Sequence, residues 1–184
     1  DSCRLIAMNL FGFVIDPFLS TARFDFDRFY AYTYEAQRLM DDLVDLELDA
    51  ITRILVKIKQ DPEPDYIKAV EIQTWEALYN SGKAGRRTGL GFTGLADTIA
   101  GLGIKFDSAD ALSITEQISK TKCLAEFDSS IDMAIQRGKF EDFNKETEYQ
   151  SHFVQMLNKE FPEMCSRMML YGRRNISIST VAPV

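Results

Sequence analysis

The sequence predicts a single, mainly α-helical domain with a short strand at each end, and three observations carry that reading. Apolar residues recur at steps of three, four or seven over two long stretches, from Asp27 to Lys59 and from Ser108 to Gly138, the repeat of a helix face. Residues 3–15 form a short, almost continuously apolar run, as in a strand buried on both faces, with a buried helix as the alternative. The last ten residues, 175–184, are rich in β-branched side chains and partly alternate, which reads as a strand.

Between these ends the elements follow from periodicity and punctuation. In the first long helix Phe29, Ala36, Met40, Leu43, Ala50, Ile54 and Ile58 form the stripe. Asp25 and Asp27 lie at its start and Lys57 and Lys59 at its end, as the helix dipole favours, and Pro62 and Pro64 forbid continuation. Asp65 can cap a second helix carrying Ile67, Val70, Trp75 and Leu78, with Gly82 as its stop. A glycine-rich segment and a short helix from Leu95 to Leu102 follow, broken at Gly103. Ser108 caps the next long helix, with the stripe Ala111, Ile114, Ile118, Leu124, Phe127, Ile131 and Ile135 and a stop at Gly138. Phe153, Leu157 and Phe161 mark another helix, and residues 162–170 a further one stopped by Gly172. The two terminal strands have only helices between them, and two strands are marginal on their own, so 1–184 reads as a single partial domain.

At 184 residues and 46% hydrophobic content the chain can bury one core. A net charge of −7 leaves no basic surplus for phosphate backbones, which argues against DNA or RNA binding. Small phosphorylated ligands are not excluded, because backbone N–H groups at a helix start bind them without lysine. No run of about 18 apolar residues exists to span a membrane, and the opening stretch lacks a secretory signal, so a soluble cytoplasmic protein is expected. Three widely spaced cysteines, Cys3, Cys123 and Cys165, suit neither a disulfide framework nor a zinc site.

Several constellations invite chemistry. Gly89-Leu90-Gly91-Phe92-Thr93-Gly94 fits the dinucleotide pattern G-x-G-x-x-G, but the polar residues 81–87 before it supply no buried strand, so a dinucleotide site is rejected. Asp41, Asp42, Asp45, Glu47 and Asp49 could suggest a carboxylate metal site. The di-iron version needs Glu-x-x-His, which the single His152 does not provide, and a solvated helix face is expected instead. His152 flanks an apolar stripe and reads as structural. Arg86 and Arg87 are either a carboxylate- or anion-holding pair or a solvated loop pair.

Three blocks taken together carry more information. Asp1-Ser2-Cys3-Arg4-Leu5 with Asn9-Leu10, then Gly85-Arg86-Arg87-Thr88-Gly89-Leu90-Gly91-Phe92-Thr93-Gly94-Leu95-Ala96-Asp97 with residues 102–108, and finally residues 174–183 resemble, in family order, the catalytic α chain of ribonucleotide reductases. The resemblance implies a fragment of a ten-stranded α/β barrel, in which the terminal strands have partners outside this piece. It implies that Cys3 is one of the redox pair that reduces the ribonucleotide, and that Ala182, Pro183 and Val184 begin the loop holding the substrate phosphates. Val184 stands where many relatives carry Thr or Ser, so that loop would rely more on backbone N–H groups. Arg86, Arg87 and Asn175 are motif residues to which the resemblance gives no catalytic role.

The wording of the first block and the Leu95-Ala96-Asp97 ending favour the adenosylcobalamin-dependent class. The resemblance implies as partners a ribonucleotide substrate, the remainder of the reductase chain and a thioredoxin-like reductant. The family's N-x-C-x-E motif, with its radical-bearing cysteine, has no counterpart in these 184 residues, so the chain alone is expected to be inactive. Two other readings are a helical scaffold or docking half of a split reductase, which an exposed apolar patch around residues 3–15 would support, and an independent thiol-redox protein, which would lack the usual C-x-x-C motif.

Overall fold

A computed structural model describes residues 3–181. The opening apolar run does not stay extended. Arg4–Asn9 is a strand (β1), but the Asn9 side chain then accepts a hydrogen bond from Phe11 N–H at 3.2 Å and starts a 3-10 turn over Leu10–Phe13. Val14–Ile15 (β2) pairs antiparallel with Arg23–Phe24 (β3). The turn tucks Leu10 and Phe13 into a core with Phe24, Phe29 and Ile118.

Helix α1 spans Phe26–Gln60, capped by Asp25, whose carboxylate accepts from Arg28 N–H at 3.0 Å. Its buried line is not the purely apolar stripe of the sequence reading: Thr33, Gln37 and Asp41 lie on it beside Phe29, Met40, Val44, Leu48, Ile51 and Ile58, while Leu43 is exposed. Helix α2 spans Asp65–Gly85. Asp65 is its first residue and not its cap, and it runs past Gly82 to end at Arg86. Gly82 is the only buried residue of α2, since it faces Leu48 of α1; Val70 and Leu78 are exposed on the outer side.

The glycine-rich segment is a strand. Thr88–Thr93 (β4) pairs in parallel with β1, Arg4 opposite Thr88 through Asn9 opposite Thr93. β4 also accepts and donates on its other side: Thr88 N–H and Leu90 N–H donate to Ser177 and Ile178 carbonyls at 3.0 and 2.9 Å, and Thr180 N–H donates to Leu90 O at 3.0 Å. The expected closing strand 175–184 is thus reduced to an extended segment with one parallel bridge, Leu90 to Ser179, and residues 182–184 lie outside the described residues. The expectation that only helices separate the two ends is corrected, because β4 lies between them and joins both. A Cβ at Gly89 would lie 2.7 Å from Leu5 Cδ2 and 3.4 Å from Thr180 Cγ2, so a larger residue there would displace the exposed Leu5 side chain.

Helix α3 covers Leu95–Gly101, and α4 covers Ala109–Arg137, with the Ser108 hydroxyl accepting from Ala111 N–H at 3.2 Å and Gly138 at its end. The Glu116–Lys120 pair forms at 2.8 Å. A short helix α5, Lys145–Gln150, was not foreseen; α6 (His152–Glu160) and α7 (Pro162–Tyr171) were. Helices α1 and α4 are tied by two parallel hydrogen bonds, Tyr30 to Asp128 and Tyr34 to Asp132, each 2.8 Å, and Arg167 of α7 pairs with both aspartates. A second core joins Phe127 and Ile131 of α4 to Val154, Leu157, Met164, Cys165 and Met168 of α6 and α7, with Ile178 of the closing segment. No helix among the described residues is long and apolar enough to cross a membrane.

Candidate functional site

The three extended segments have unequal faces. Arg4, Ile6 and Met8 of β1 point towards α1 and are buried or half-buried, whereas Cys3, Leu5, Ala7 and Asn9 alternate with them and are exposed. Cys3 immediately precedes β1. Its sulfur lies 3.7 Å from Ser177 Oγ, a residue 174 positions later, so the start of the chain and the closing segment meet on the exposed face. The Ser177 hydroxyl already donates to Thr88 O at 2.8 Å, which leaves the Cys3 S–H as the donor in the Cys3–Ser177 contact. An exposed thiol at the end of an anchored strand is accessible to a second thiol and can be oxidised to a disulfide.

The other two thiols are placed differently. Cys165 is buried in the core of α4, α6 and α7, and burial pushes its pKa up. Burial, then the charge of Glu126, pushes the Cys123 thiol up to about 12. Both are protonated packing residues at neutral pH.

What holds the closing segment in place is a buried polar network centred on Asn175. Its side-chain N–H groups donate to Asp41 Oδ1 at 2.9 Å and to Arg86 O at 3.1 Å, and its oxygen accepts from Gln37 at 3.0 Å and from Ser130 at 2.9 Å. Asn175 therefore joins α1, α4 and the entry to β4. Asp41 is fully buried, and the solvated helix face expected for the acidic cluster is corrected at this residue. Arg86 contacts it at 2.7 Å and Asp45 at 2.8 Å, Arg137 reaches Asp41 at 3.4 Å and Asp42 at 2.6 Å, and Arg174 lies 3.3 Å from Asp41. Burial works against the Asp41 charge, but the hydrogen bond and charge of Arg86, and then those of Arg174, outweigh it and hold its carboxyl below the ordinary carboxylate range. Asp41, Asp42 and Asp45 come close enough to one another to suggest a cation, yet three guanidinium groups already neutralise them. Glu47 pairs with Arg4.

Arg86 is accordingly a carboxylate-holding residue of the interior. It adopts a left-handed backbone, φ 48°, where α2 ends, a conformation that its ion pairs with α1 over-determine. Arg87 is exposed. The G-x-G-x-x-G residues form no phosphate loop: Gly89 and Gly91 lie inside β4, and Gly94 is the cap before the seven-residue α3. His152 is exposed at the first position of α6.

Behind the closing segment lies a pair that the sequence reading missed. Lys122 of α4 is buried; its ammonium donates to Ser179 Oγ at 2.6 Å and lies 2.6 Å from Glu126 Oε1. Glu126 is fully buried, and neither of its oxygens accepts a well-formed hydrogen bond, so the contact with Lys122 is an ion pair by distance alone. Burial raises the Glu126 pKa to about 7 against the lowering effects of Lys122 and Ser179. A signal was present: the apolar stripe of this helix steps from Ile118 to Leu124, and the skipped turn carries Lys122 and, four residues on, Glu126.

A pH dependence follows. The folded-state pKa of Glu126, about 7, lies above the ordinary 4.5, so the stability from its extra proton is fully present below about pH 4.5 and is lost as pH rises through 7. Glu126→Gln imitates the protonated form. It is expected to match the wild type in urea unfolding at pH 5 and to exceed it at pH 8, by up to about 3 kcal/mol. An equal difference between the two proteins at both pH values would show that Glu126 does not titrate in this range.

Residues 1–184 match the family profile of the ribonucleotide reductase barrel domain. Over the same 184 residues the chain is 27% identical to the vitamin B12-dependent ribonucleoside-diphosphate reductase of Mycobacterium tuberculosis, in each of two strains. The alignments cover 100% of this chain and 20% and 19% of the two relatives, so the chain spans about a fifth of their length.

Proposed function

Because this chain belongs to the ribonucleotide reductase barrel-domain family, matched over residues 1–184, we propose that it is part of the catalytic domain of an enzyme that reduces ribonucleotides to deoxyribonucleotides by thiyl-radical chemistry. The observation that carries the reading is the whole-length family match combined with an exposed Cys3 at the head of β1, beside the closing segment.

In this reading Cys3 is one of two thiols that reduce the sugar. The 2′ hydroxyl leaves as water, the two thiols give up two electrons and two protons, and their sulfurs join as a disulfide. A second thiol and the radical-bearing cysteine come from the remainder of the reductase chain, and a thioredoxin-like reductant resets the disulfide. Ala182, Pro183 and Val184 begin the substrate-phosphate loop, directly after the segment that Asn175 and Ser179 anchor. The barrel is completed by strands beyond these residues.

The relatives' dependence on vitamin B12 makes adenosylcobalamin the cofactor of the proposed enzyme. When bound, it supplies the radical that the chemistry requires. Among the described residues the groove along residues 176–181, about 600 Å³, is an open surface feature and does not enclose a group of that size. A scaffold role is less well supported, because Leu10 and Phe13 of the apolar opening are buried in the chain's own core.

The test is deoxyribonucleotide formation by the full-length protein with adenosylcobalamin and a dithiol. Product that depends on both additions is expected, and none from the 184 residues alone. An inactive full-length protein would remove the functional reading, and product from the 184 residues alone would remove the assignment of the missing thiols to the rest of the chain.

A further inference from the structure

The pair Lys122 and Glu126 is costly by the ordinary rules of a protein interior. Both side chains are almost wholly buried in a helix that otherwise presents Ile118, Ala125 and Phe127 to its surroundings, and the Glu126 oxygens accept no well-formed hydrogen bond. A buried ion pair of this kind stabilises a fold no better than two well-packed apolar residues, so stability alone does not account for it. Its best-formed directional contact is the hydrogen bond from Lys122 to Ser179 Oγ, at 2.6 Å, and Ser179 also favours the charged form of Glu126.

Ser179 is a pivotal residue. It is the residue bridged to Leu90 of β4, and Thr180 N–H makes the last ladder bond to the same strand among the described residues, before Val181 stands exposed. Ser179 also lines the meeting point of two open grooves, one along residues 176–181 and one beside Cys123 and Phe153. Upstream, Asn175 fixes the segment from the side of α1; at its downstream end, Lys122 is the side chain that fixes it from α4.

We propose that Lys122, held by Glu126, is a positioning residue for nucleotide binding: by anchoring Ser179 it sets where the chain leaves the sheet towards the residues that receive the substrate phosphates. This rests on the functional reading above and adds to it a residue of α4 that touches no substrate. Ser179 is the link, and Lys122 acts through it.

The experiment uses the full-length protein and reads two quantities, the Kd for a ribonucleoside diphosphate by calorimetry and the melting temperature. The double variant Lys122→Met with Glu126→Leu replaces the pair by apolar side chains of similar size, so the fold is expected to survive with its melting temperature unchanged or raised. Its Kd is expected to rise about tenfold, the size of one lost charge-assisted hydrogen bond. Ser179→Ala should raise Kd similarly, and Ser179→Thr, which keeps the hydroxyl, should restore it. A wild-type Kd in the folded double variant would overturn the proposal, even if Ser179→Ala weakens binding, because Ser179 would then act without Lys122. If the double variant fails to fold, the Ser179 pair of variants decides: equal Kd values for alanine and threonine overturn the proposal. No nucleotide binding by the wild-type protein would count against the functional reading itself, and this inference would fall with it.

Discussion

If Cys3 is the reducing thiol, as proposed, replacing it with serine in the full-length protein is expected to lower multiple-turnover deoxyribonucleotide formation by at least about a thousandfold, as removal of a group that takes part in bond making does. Serine keeps nearly the size of the thiol and can donate to Ser177 as the thiol does at 3.7 Å. It cannot lose a hydrogen and close a disulfide, so the sugar is attacked but not reduced. The same replacement at Cys165 places a hydroxyl in an apolar core and costs stability, about 1–3 kcal/mol, with turnover retained in the folded fraction. Cys123→Ser belongs with Cys165, since that thiol is held protonated by burial. Product yield for the three variants, with a small-molecule dithiol as reductant, separates these cases. Full activity in Cys3→Ser would show that the redox thiol lies elsewhere.

Asp41→Ala is expected to destabilise the fold strongly, by about 3–5 kcal/mol, because it strands buried charge that was paired. Arg86 and Asn175 lose acceptors at 2.7 and 2.9 Å, and the left-handed turn at Arg86 loses one of the two carboxylates that hold it. Stability of domains is commonly only about 5–15 kcal/mol, so the loss takes a large share of it. Asp42→Ala, at an exposed pair with Arg137, should cost less than about 1 kcal/mol. The two are compared by urea midpoint at neutral pH, and similar midpoints would refute the special place given to Asp41. The pH sign is the reverse of that for Glu126. The Asp41 pKa is lowered in the folded chain, so its contribution is complete above the ordinary 3.8 and disappears as pH falls through the folded value.

These two residues also mark the limits of sequence reading in this protein. Asp41 lies in an acidic run that reads as a wet helix face, since four of its neighbours in the run, Asp42, Asp45, Glu47 and Asp49, look the same in one dimension. Only packing reveals that position 41 lies on the line of Gln37, Val44 and Leu48 and meets three arginines from elsewhere in the chain. Lys122 and Glu126 were overlooked for the same reason: an i,i+4 pair reads as solvent-facing until the closing segment is laid across it.

By itself the sequence determined what depends on near neighbours. The extents of α1 and α4 follow from 3.6-residue periodicity, the acidic start and proline stop of α1, the Ser108 cap and the stop at Gly138, all settled within a turn or two of helix. The three motif blocks likewise sufficed to indicate the family that the whole-length match then established. Tertiary structure alone decided that Thr88–Thr93 is a strand, because its glycines locally favour a loop and its hydrogen bonds come from β1 on one side and from residues 177–180 on the other. It also decided that Cys3 meets Ser177 and that Asn175 is the knot of the interior. Such contacts join residues from 45 to 174 positions apart, and their free energy arises when distant surfaces exclude water together, which no local pattern of residue types encodes.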